Sequence, residues 1–382
     1  MKRLEIVIQK VRVSLMNKVL ILFSFSLFAS CRCSLNNSLS NYSKCGDFHN
    51  GLAYVIDKDG KMGFISKKGD LVIPCDYLPR IYEGYNNFCD GYCVITNGIN
   101  KTGVIDTLGR QVLPLKYKFV SNVRNNNIRG VIDSNNVASY VKEDGTFLFG
   151  TNLKLPRDFS YGRACYLESK HWGFIDVKGN VVIPCVYDKC STFSCGYSLC
   201  SIKDTSYFID VMNNRFKLPY NHKAHNFSDG YAIFECNGKI GAYNTKLEVV
   251  VPSIYDKLGM YPNYYVANIG SKYLIINKGD TVWNSSKYRI QLFSTCGYHV
   301  ISDSLKTIGV IDSTGSVILS DKYDRIDYFV NGYAVVQKGG KQGLVNKKLE
   351  VVIPCKYKVC HNMSEGYVLT YRKKKFKYIK VK

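Results

Sequence analysis

A short phrase of the form Phe-x-x-Gly-Tyr, repeated along the chain, most restricts how this sequence can fold. Full copies lie at residues 88–92, 193–197, 227–231 and 329–333, and altered copies at 48–52, 159–163, 293–298 and 363–367. From Gly162 onwards the glycines of the phrase are about 34 residues apart, or about twice that between Gly230 and Gly297. A fixed period of this size predicts small structural units that pack against their neighbours.

Other positions keep constant offsets within each copy. A second glycine follows the first by 11 or 12 residues, and in five copies a proline follows that glycine by 11 residues, with a tyrosine three residues later. The segments between these points are β-forming runs such as YAVVQ (333–337), GFID (173–176) and VVIP (181–184). Glycine-containing turns separate the last two runs, and the proline indicates a strand end or an edge. One repeat is therefore predicted to be a three-stranded β-meander.

The predicted fold class is all-β, with tandem three-stranded β-meander repeats of about 34 residues in a solenoid-like array. The 30 Tyr and 19 Phe agree with strands. A closed propeller-like ring is the alternative, less favoured because a four-stranded blade usually takes about 40 residues. The repeat domain is expected to span residues 47–382, as nine repeats and a truncated tenth. Degenerate copies are expected near 127–156 and 261–287, and the truncated copy, 363–382, is expected to cap the last edge.

The N-terminal segment predicts export and a lipid anchor. Residues 19–30 are uncharged and too short to span a bilayer comfortably, which is typical of the apolar region of a signal peptide. Ala29 and Ser30 before Cys31 resemble the lipobox of bacterial lipoproteins, although Phe28 stands where leucine is usual. We expect a signal peptide over 1–30, with Met16 as an alternative start, a lipid on Cys31 and a polar tether over 31–46. An uncleaved signal anchor and an ordinary secretory peptide are the alternatives.

The chain has a formal net charge of +22. Such a charge attracts anionic partners in general. The lysines are scattered except for the C-terminal tail, which favours solvated strand faces over a dedicated anionic site. Because export is expected as well, no nucleic acid is expected as a partner.

No catalytic or metal motif stands out among the 15 cysteines and 6 histidines. Cys185, Cys190, Cys195 and Cys200 are five residues apart, an odd spacing that alternates faces along a strand, so no metal site is expected. The pairs Cys185–Cys190 and Cys355–Cys360 are candidate disulfides in an oxidising compartment. Aspartates recur at turn positions, including 57, 106, 176, 210 and 312, which indicates turn capping.

The landmarks together resemble the WG-repeat family, also called KWG repeats. The segment KHWGFIDVKGNVVIPCVYD (170–188) is the best match, and residues 57–77 and 339–357 follow it closely. The resemblance covers nearly all of 47–382, but the tryptophan of the repeat is kept only at Trp172. It implies a bacterial exported repeat protein and no particular enzymatic activity.

We therefore expect a non-catalytic binding or scaffolding module without a cofactor. It would be held in the bacterial cell envelope, on the outer membrane, through its N-terminal lipid. The partner would be a protein or a glycan, and one tyrosine per repeat is a candidate contact: Tyr92, Tyr197, Tyr231, Tyr298, Tyr333 and Tyr367. The alternative role for these rings is packing between repeats. The alternative function is an enzyme that acts on envelope polysaccharide or peptide.

The lipid anchor leads to a direct test. Cys31→Ala should abolish metabolic labelling with a fatty acid and move the chain out of the membrane fraction, because no thiol remains at the acylation position. Cys33→Ala is the matched control and should keep label and fractionation unchanged. Full labelling of Cys31→Ala would contradict the assignment.

Overall fold

The computed structural model describes residues 39–81, 83–122, 127–151, 156–292, 294, 296–303, 307–320 and 322–381. Within these residues the chain forms antiparallel strands joined by turns, besides short 3₁₀ turns at Leu39–Asn41 and Glu83–Asn86. The predicted all-β class is confirmed. No helix in this part of the chain is long and apolar enough to span a membrane. The predicted signal peptide and Cys31 lie outside the described residues.

Ten antiparallel sheets follow one another in the described residues, each built from consecutive strands. The first five are sheet 1 with β1 (Lys44–His49), β2 (Leu52–Ile56), β3 (Met62–Ser66) and β4 (Leu71–Tyr77); sheet 2 with β5 (Tyr92–Thr96), β6 (Thr102–Asp106) and β7 (Gln111–Tyr117); sheet 3 with β8 (Phe119–Val120), β9 (Ile128–Ile132), β10 (Ala138–Lys142) and β11 (Phe147–Thr151); sheet 4 with β12 (Ala164–Glu168), β13 (His171–Ile175) and β14 (Val181–Tyr187); and sheet 5 with β15 (Lys189–Cys190), β16 (Tyr197–Ile202), β17 (Thr205–Asp210) and β18 (Arg215–Lys217).

The remaining sheets repeat this plan. They are sheet 6 with β19 (Lys223–Ala224), β20 (Tyr231–Cys236), β21 (Lys239–Asn244) and β22 (Val249–Tyr255); sheet 7 with β23 (Lys257–Met260), β24 (Tyr264–Ile269), β25 (Lys272–Asn277) and β26 (Asp280–Ser285); sheet 8 with β27 (Arg289–Ile290), β28 (Tyr298–Ser302), β29 (Thr307–Asp312) and β30 (Val317–Leu319); sheet 9 with β31 (Arg325–Ile326), β32 (Tyr333–Lys338), β33 (Lys341–Asn346) and β34 (Val351–Tyr357); and sheet 10 with β35 (Val359–Cys360), β36 (Tyr367–Arg372) and β37 (Lys375–Lys380).

The Phe-x-x-Gly-Tyr phrase forms a two-residue hairpin turn that leads into the first long strand of a sheet. In sheet 5, Ser194 and Tyr197 exchange backbone hydrogen bonds of 2.7 and 3.0 Å. The two residues between them, Cys195 and Gly196, have φ values of 51° and 86°. Two consecutive positive φ values define a type I′ turn, whose twist suits a β-hairpin and which glycine adopts without strain. The positive φ of this turn position therefore explains why the phrase contains a glycine.

The recurring aspartates cap turns, as predicted. The Oδ1 atom of Asp176 accepts hydrogen bonds of 2.8 and 2.9 Å from the N–H groups of Lys178 and Asn180. Although partial burial of the carboxyl opposes the shift, these bonds hold the pKa of Asp176 below its ordinary value. The same two backbone hydrogen bonds, to the N–H groups two and four residues later, occur at Asp57, Asp106, Asp210 and Asp312. Their role in the turns accounts for the repetition without an acid–base pair.

The second glycine and the proline of the repeat belong to one structural device. In sheet 1, Phe64 pairs with Ile73 and Met62 with Tyr77. Between these two pairs, β4 advances by four residues while β3 advances by two. The extra residues form a bulge around Pro74 that crosses directly over Gly63. A Cβ atom on Gly63 would lie 2.5 Å from the carbonyl oxygen of Ile73, closer than real Cβ atoms approach. The constant spacing of glycine and proline is thus a packing requirement.

Aromatic contacts join neighbouring sheets. The phenylalanine of a turn lies against a ring of the sheet before it, with centroids 4.8 Å apart for Phe64–Phe88 and 4.9 Å apart for Phe208–Phe227. All four rings are buried, with at most 3% exposure. Each sheet therefore shields the apolar face of its neighbour, as predicted for repeats that are too thin to fold alone.

The first and last sheets make the same contact, which closes a propeller-like ring. The centroids of Phe48 and Tyr378 are 4.7 Å apart. The hydroxyl of Ser364 donates to the carbonyl of Phe48 at 2.6 Å, as Ser160 donates to the carbonyl of Phe193 at 2.7 Å between two interior sheets. The junction is therefore equivalent to the interior interfaces.

Ion pairs reinforce this junction. Lys67 Nζ lies 2.8 Å from a carboxylate oxygen of Glu365, and His361 Nδ1 lies 3.1 Å from Asp47. Sheet 10 therefore contacts sheet 1 and does not cap a free end. The structure therefore has the closed propeller-like ring, which was the alternative arrangement. The open solenoid-like array, which the repeat length favoured, is not observed.

Two further features differ from the sequence predictions: the number of strands in a sheet and the residue at which the fold begins. Seven sheets have four strands instead of three. The additional strand precedes the turn and can be as short as Lys189–Cys190, which is too short to show an alternating sequence pattern. Together with tight turns, these short strands build a four-stranded sheet from a short repeat. The fold also begins before the predicted end of the tether at residue 46, since β1 starts at Lys44 and Leu39 is buried against sheets 1 and 10.

The glycine beneath the proline bulge can be tested directly. Gly63→Ala should lower the free energy of unfolding by about 1–3 kcal/mol, because the new methyl group overlaps the backbone of β4. Gly150→Ala is the matched control within a strand, since its Cβ would lie 3.9 Å from its nearest neighbour. Urea unfolding of the three proteins measures the difference. Equal stability of the two variants would contradict the role of the bulge.

Candidate functional site

The turns formed by the Phe-x-x-Gly-Tyr phrase lie on one side of the ring, which we call the turn face. In sheet 9 it carries the turn at Asn331–Gly332, which leads into β32, and the turn at Asn346–Glu350, which joins β33 to β34. Because the strands of a meander alternate in direction, both turns emerge at the same end of the sheet. The regular turns of the other sheets lie at the same end. Surface residues on this face are displayed by a rigid scaffold.

The six tyrosines predicted as contacts each begin a strand at the turn face and are half-buried. Several pack on the phenylalanine of the next sheet, with centroids 5.2 Å apart for Tyr197–Phe227 and 5.7 Å apart for Tyr298–Phe329. The six tyrosine side chains are therefore spread around the propeller-like ring, one in each of six sheets. Much of their surface packs against neighbouring side chains. Two of them line clefts, Tyr92 between sheets 2 and 3 and Tyr333 between sheets 8 and 9.

A groove made of two adjoining clefts crosses sheets 6 to 9 on the turn face. The two clefts have volumes of about 710 and 530 Å³ and share Cys296. We call it the turn-face groove, and define it by these lining residues: Asp229, Met260, Tyr261, Pro262, Asn263, Tyr264, Asn277, Ser294, Cys296, Gly297, Ser313, Asn331, Gly332, Tyr333, Asn346, Lys347, Lys348 and Glu350. Amides, hydroxyls and aromatic rings outnumber charges, which suits an uncharged polar ligand.

The groove forms where the repeat becomes irregular. Sheet 7 has the turn Tyr261–Pro262–Asn263–Tyr264, which lacks the usual glycine, and its two tyrosine rings stack with centroids 4.7 Å apart and an interplanar angle of 10°. Burial raises the pKa of Tyr261 to about 12, so its hydroxyl stays protonated. Sheet 8 has one residue more in its phrase, which places Cys296 and Gly297 at the rim.

A buried histidine supports the floor of the groove. His299 is fully buried, with Nε2 2.9 Å from the hydroxyl of Tyr264 and Nδ1 3.0 Å from the carbonyl of Gln291. Burial lowers the pKa of His299. The neutral ring donates from Nδ1–H to Gln291 and accepts the Tyr264 proton at Nε2. The contact fixes Tyr264, whose edge lines the groove.

The charged end of the groove belongs to sheet 9. Lys347 Nζ lies 4.9 Å from the ring centroid of Tyr298, a cation–π distance. The amide of Asn346 accepts from the N–H of Lys348 and donates to Glu350 at 2.6 Å, so this side chain is held in the turn. Lys347 is therefore the groove cation placed beside an aromatic face.

A third cleft of about 330 Å³ lies between sheets 2 and 3 and includes Gly84, Tyr85 and Asn122. Its inner wall is Arg129, a 3% exposed side chain whose Nη2 lies 3.0 Å from a carboxylate oxygen of Glu143. The charge of Arg129 is thus already balanced inside the protein. We therefore interpret this cleft as a gap in the internal packing and not as an anion-binding site.

The predicted disulfide partners are free thiols in the structure. Cys185 lies in β14 of sheet 4 and Cys190 in β15 of sheet 5, while Cys355 and Cys360 lie in sheets 9 and 10. Cys185 Sγ contacts the carbonyl of Tyr166 at 3.8 Å. Burial raises the pKa of Cys360 to about 12, which keeps that thiol protonated. Among the described residues, no group of three or more His, Cys, Asp or Glu side chains could hold a metal ion.

Comparison with known families identifies the repeat. A family model described as WG containing repeat matches residues 103–129, 172–200, 222–239, 308–341 and 343–375. Five segments of the chain therefore match the WG repeat. The five matches include the Gly–Pro bulges of sheets 2, 4 and 9 and the first two strands of sheet 10. No curated protein matches the chain.

Solved structures with a similar arrangement are distant in sequence. One described as the eukaryotic initiation factor is 8% identical, covers 80% of this chain and 90% of its own, and has a TM-score of 0.47. BamB from Moraxella catarrhalis is 10% identical, with coverage of 77% and 93% and a TM-score of 0.31. The computationally designed Ika8 protein is 11% identical, with coverage of 87% and 94% and a TM-score of 0.32. These likenesses are too remote to bear on function.

Sequence reasoning missed most of the turn-face groove. It selected the tyrosine that recurs in six of the repeats, whereas the groove depends on Asn263, Lys347 and other residues outside the repeated phrase. The available signal was the loss of glycine at 261–264 and the longer phrase at 293–298. An irregular copy can mark the place where a repeat structure acquires a site.

Proposed function

We propose that this WG-repeat chain is a non-catalytic binding or scaffolding module of the cell envelope that holds a glycan or an extended protein segment in the turn-face groove. The observation that carries the proposal is the pair of adjoining clefts across sheets 6 to 9, which share Cys296 and lie on a rigid ring. The combination of tyrosine edges, amides and hydroxyls suits a polar polymer, since ligand sites pair apolar walls with a few polar groups.

The proposed location follows from the N-terminal sequence. A signal peptide over 1–30 and a lipid on Cys31 would place the ring at a membrane surface, with the outer membrane as the expected site. One acyl chain gives marginal attachment and two give stable attachment, so a diacylated cysteine would retain the chain. The anchor and the groove are separate parts of the proposal.

The groove is tested with the full chain and two sets of probes, soluble oligosaccharides from bacterial envelopes and unstructured peptides of similar length. One set should be retained by the wild type. Lys347→Ala and Asn263→Trp should weaken retention about tenfold, because one removes a cation beside Tyr298 and the other fills the groove. Lys58→Ala is the matched control, an exposed lysine in the turn between β2 and β3, at the other end of sheet 1.

Two outcomes would overturn the proposal. Equal retention by wild type, Lys347→Ala and Asn263→Trp would show that the binding surface lies elsewhere. If neither probe set is retained, the proposed binding role is wrong. Cleavage of a retained probe during incubation would contradict the non-catalytic part of the proposal and favour an enzyme acting on envelope polymers.

A further inference from the structure

The two-residue strand β15 places two cysteines opposite each other. In the register of β15 and β16, Cys190 pairs with Cys200. The N–H of Ser191 donates to the carbonyl of Leu199 at 2.9 Å, so the adjoining Cys190–Cys200 pair is of the non-hydrogen-bonded type. Cα atoms in such pairs are about 4.5 Å apart. That separation falls within the range that a disulfide spans, about 4.4–6.8 Å.

The sulfur atoms of this pair face a common buried space. Cys200 is 1% exposed, and Cys190 packs against the same apolar cluster. Burial raises the pKa of Cys190, and the neighbouring Cys200 thiol raises it further. The hydroxyl of Ser198 lies 3.4 Å from Cys200 Sγ. The two side chains therefore lie opposite each other on the same face of the sheet, within one buried cluster.

The neighbouring cysteines are engaged elsewhere. Cys165 belongs to sheet 4, and its Sγ donates to the carbonyl of Ser191 at 3.3 Å. Cys185 Sγ contacts the carbonyl of Tyr166. Cys195 occupies the turn with positive φ, before Gly196. Of these thiols, only Cys200 is the direct cross-strand partner of Cys190.

We propose that Cys190 and Cys200 form a cross-strand disulfide that fastens the first strand of sheet 5. This pairing replaces the Cys185–Cys190 pairing predicted from sequence spacing. It does not depend on the groove or its ligand. The first strand of this sheet has only two residues, so it is held by few backbone hydrogen bonds, and a covalent link would secure it.

The reaction is a thiol–disulfide exchange with a small-molecule disulfide such as oxidised glutathione. One thiolate attacks the reagent to form a mixed disulfide and releases one small thiol. The second cysteine then attacks the mixed disulfide, forms the Sγ–Sγ bond and releases the second small thiol. The protein loses two protons and two electrons, and the reagent gains both. Burial raises the pKa of Cys190, so the reaction should be slow in the native chain.

The test treats the reduced full chain with oxidised glutathione and maps the cross-linked peptides by mass spectrometry. Wild type should lose roughly 2 Da and yield a Cys190–Cys200 peptide. Cys165→Ser, the matched control in the same cluster, should yield the same peptide. Cys190→Ser and Cys200→Ser should each lose it. Oxidation should raise the Tm of wild type and Cys165→Ser by a few degrees and leave the Tm of Cys190→Ser unchanged.

Three results would overturn the proposal. They are a Cys185–Cys190 or Cys165–Cys200 cross-link in wild type, free thiols at both positions after prolonged oxidation, or a mixed disulfide that never resolves. Cys190→Ser is the decisive variant if Cys200→Ser does not fold, because Cys190 is half-buried whereas Cys200 is fully buried. The reactions need no ligand, so loss of the groove function would not affect them.

Discussion

Contact between aromatic rings of adjacent sheets is the interaction on which the structure depends. A single sheet of three or four short strands has two apolar faces and cannot shield both. Phe88, Phe193 and Phe227 each insert against the preceding sheet and are at most 3% exposed. Burial of each ring contributes about 1.5–3 kcal/mol, and the ring pair adds about 0.5–1.5 kcal/mol. Repeated around the ring, these contacts make the sheets one cooperative unit.

The geometry of the backbone makes that contact repeatable. A type I′ turn places each phenylalanine, and the bulge at Pro74 and its equivalents closes over a glycine that has no side chain to obstruct it. Because these devices recur, the turn face is uniform around most of the ring. The groove arises where uniformity ends, at the Tyr261–Tyr264 turn and the longer phrase of sheet 8. Function on such a scaffold can therefore change without a change of fold.

Much of the local structure could be predicted from the sequence. The glycine between the second and third runs predicted a turn, and Pro74 predicted a strand end or an edge. Pro74 lies inside β4, at the edge of sheet 1. The repetition of Asp176 and its equivalents predicted turn caps. These features depend on residues close in sequence. The two-residue strands could not be predicted, because Lys189–Cys190 is too short to show an alternating pattern. Ring closure could not be predicted either, since it joins Phe48 and Tyr378 at opposite ends of the chain.

Closure of the ring is the central claim, and a double-mutant cycle between Phe48 and Tyr378 measures it most directly. Each residue is changed to alanine singly and together, and the free energies of unfolding are compared, with Phe174 and Phe193 as the interior reference pair, whose centroids are 4.8 Å apart. A closed ring predicts a coupling energy of about 0.5–1.5 kcal/mol for both pairs. Additive effects at Phe48 and Tyr378, with coupling retained in the interior pair, would contradict closure.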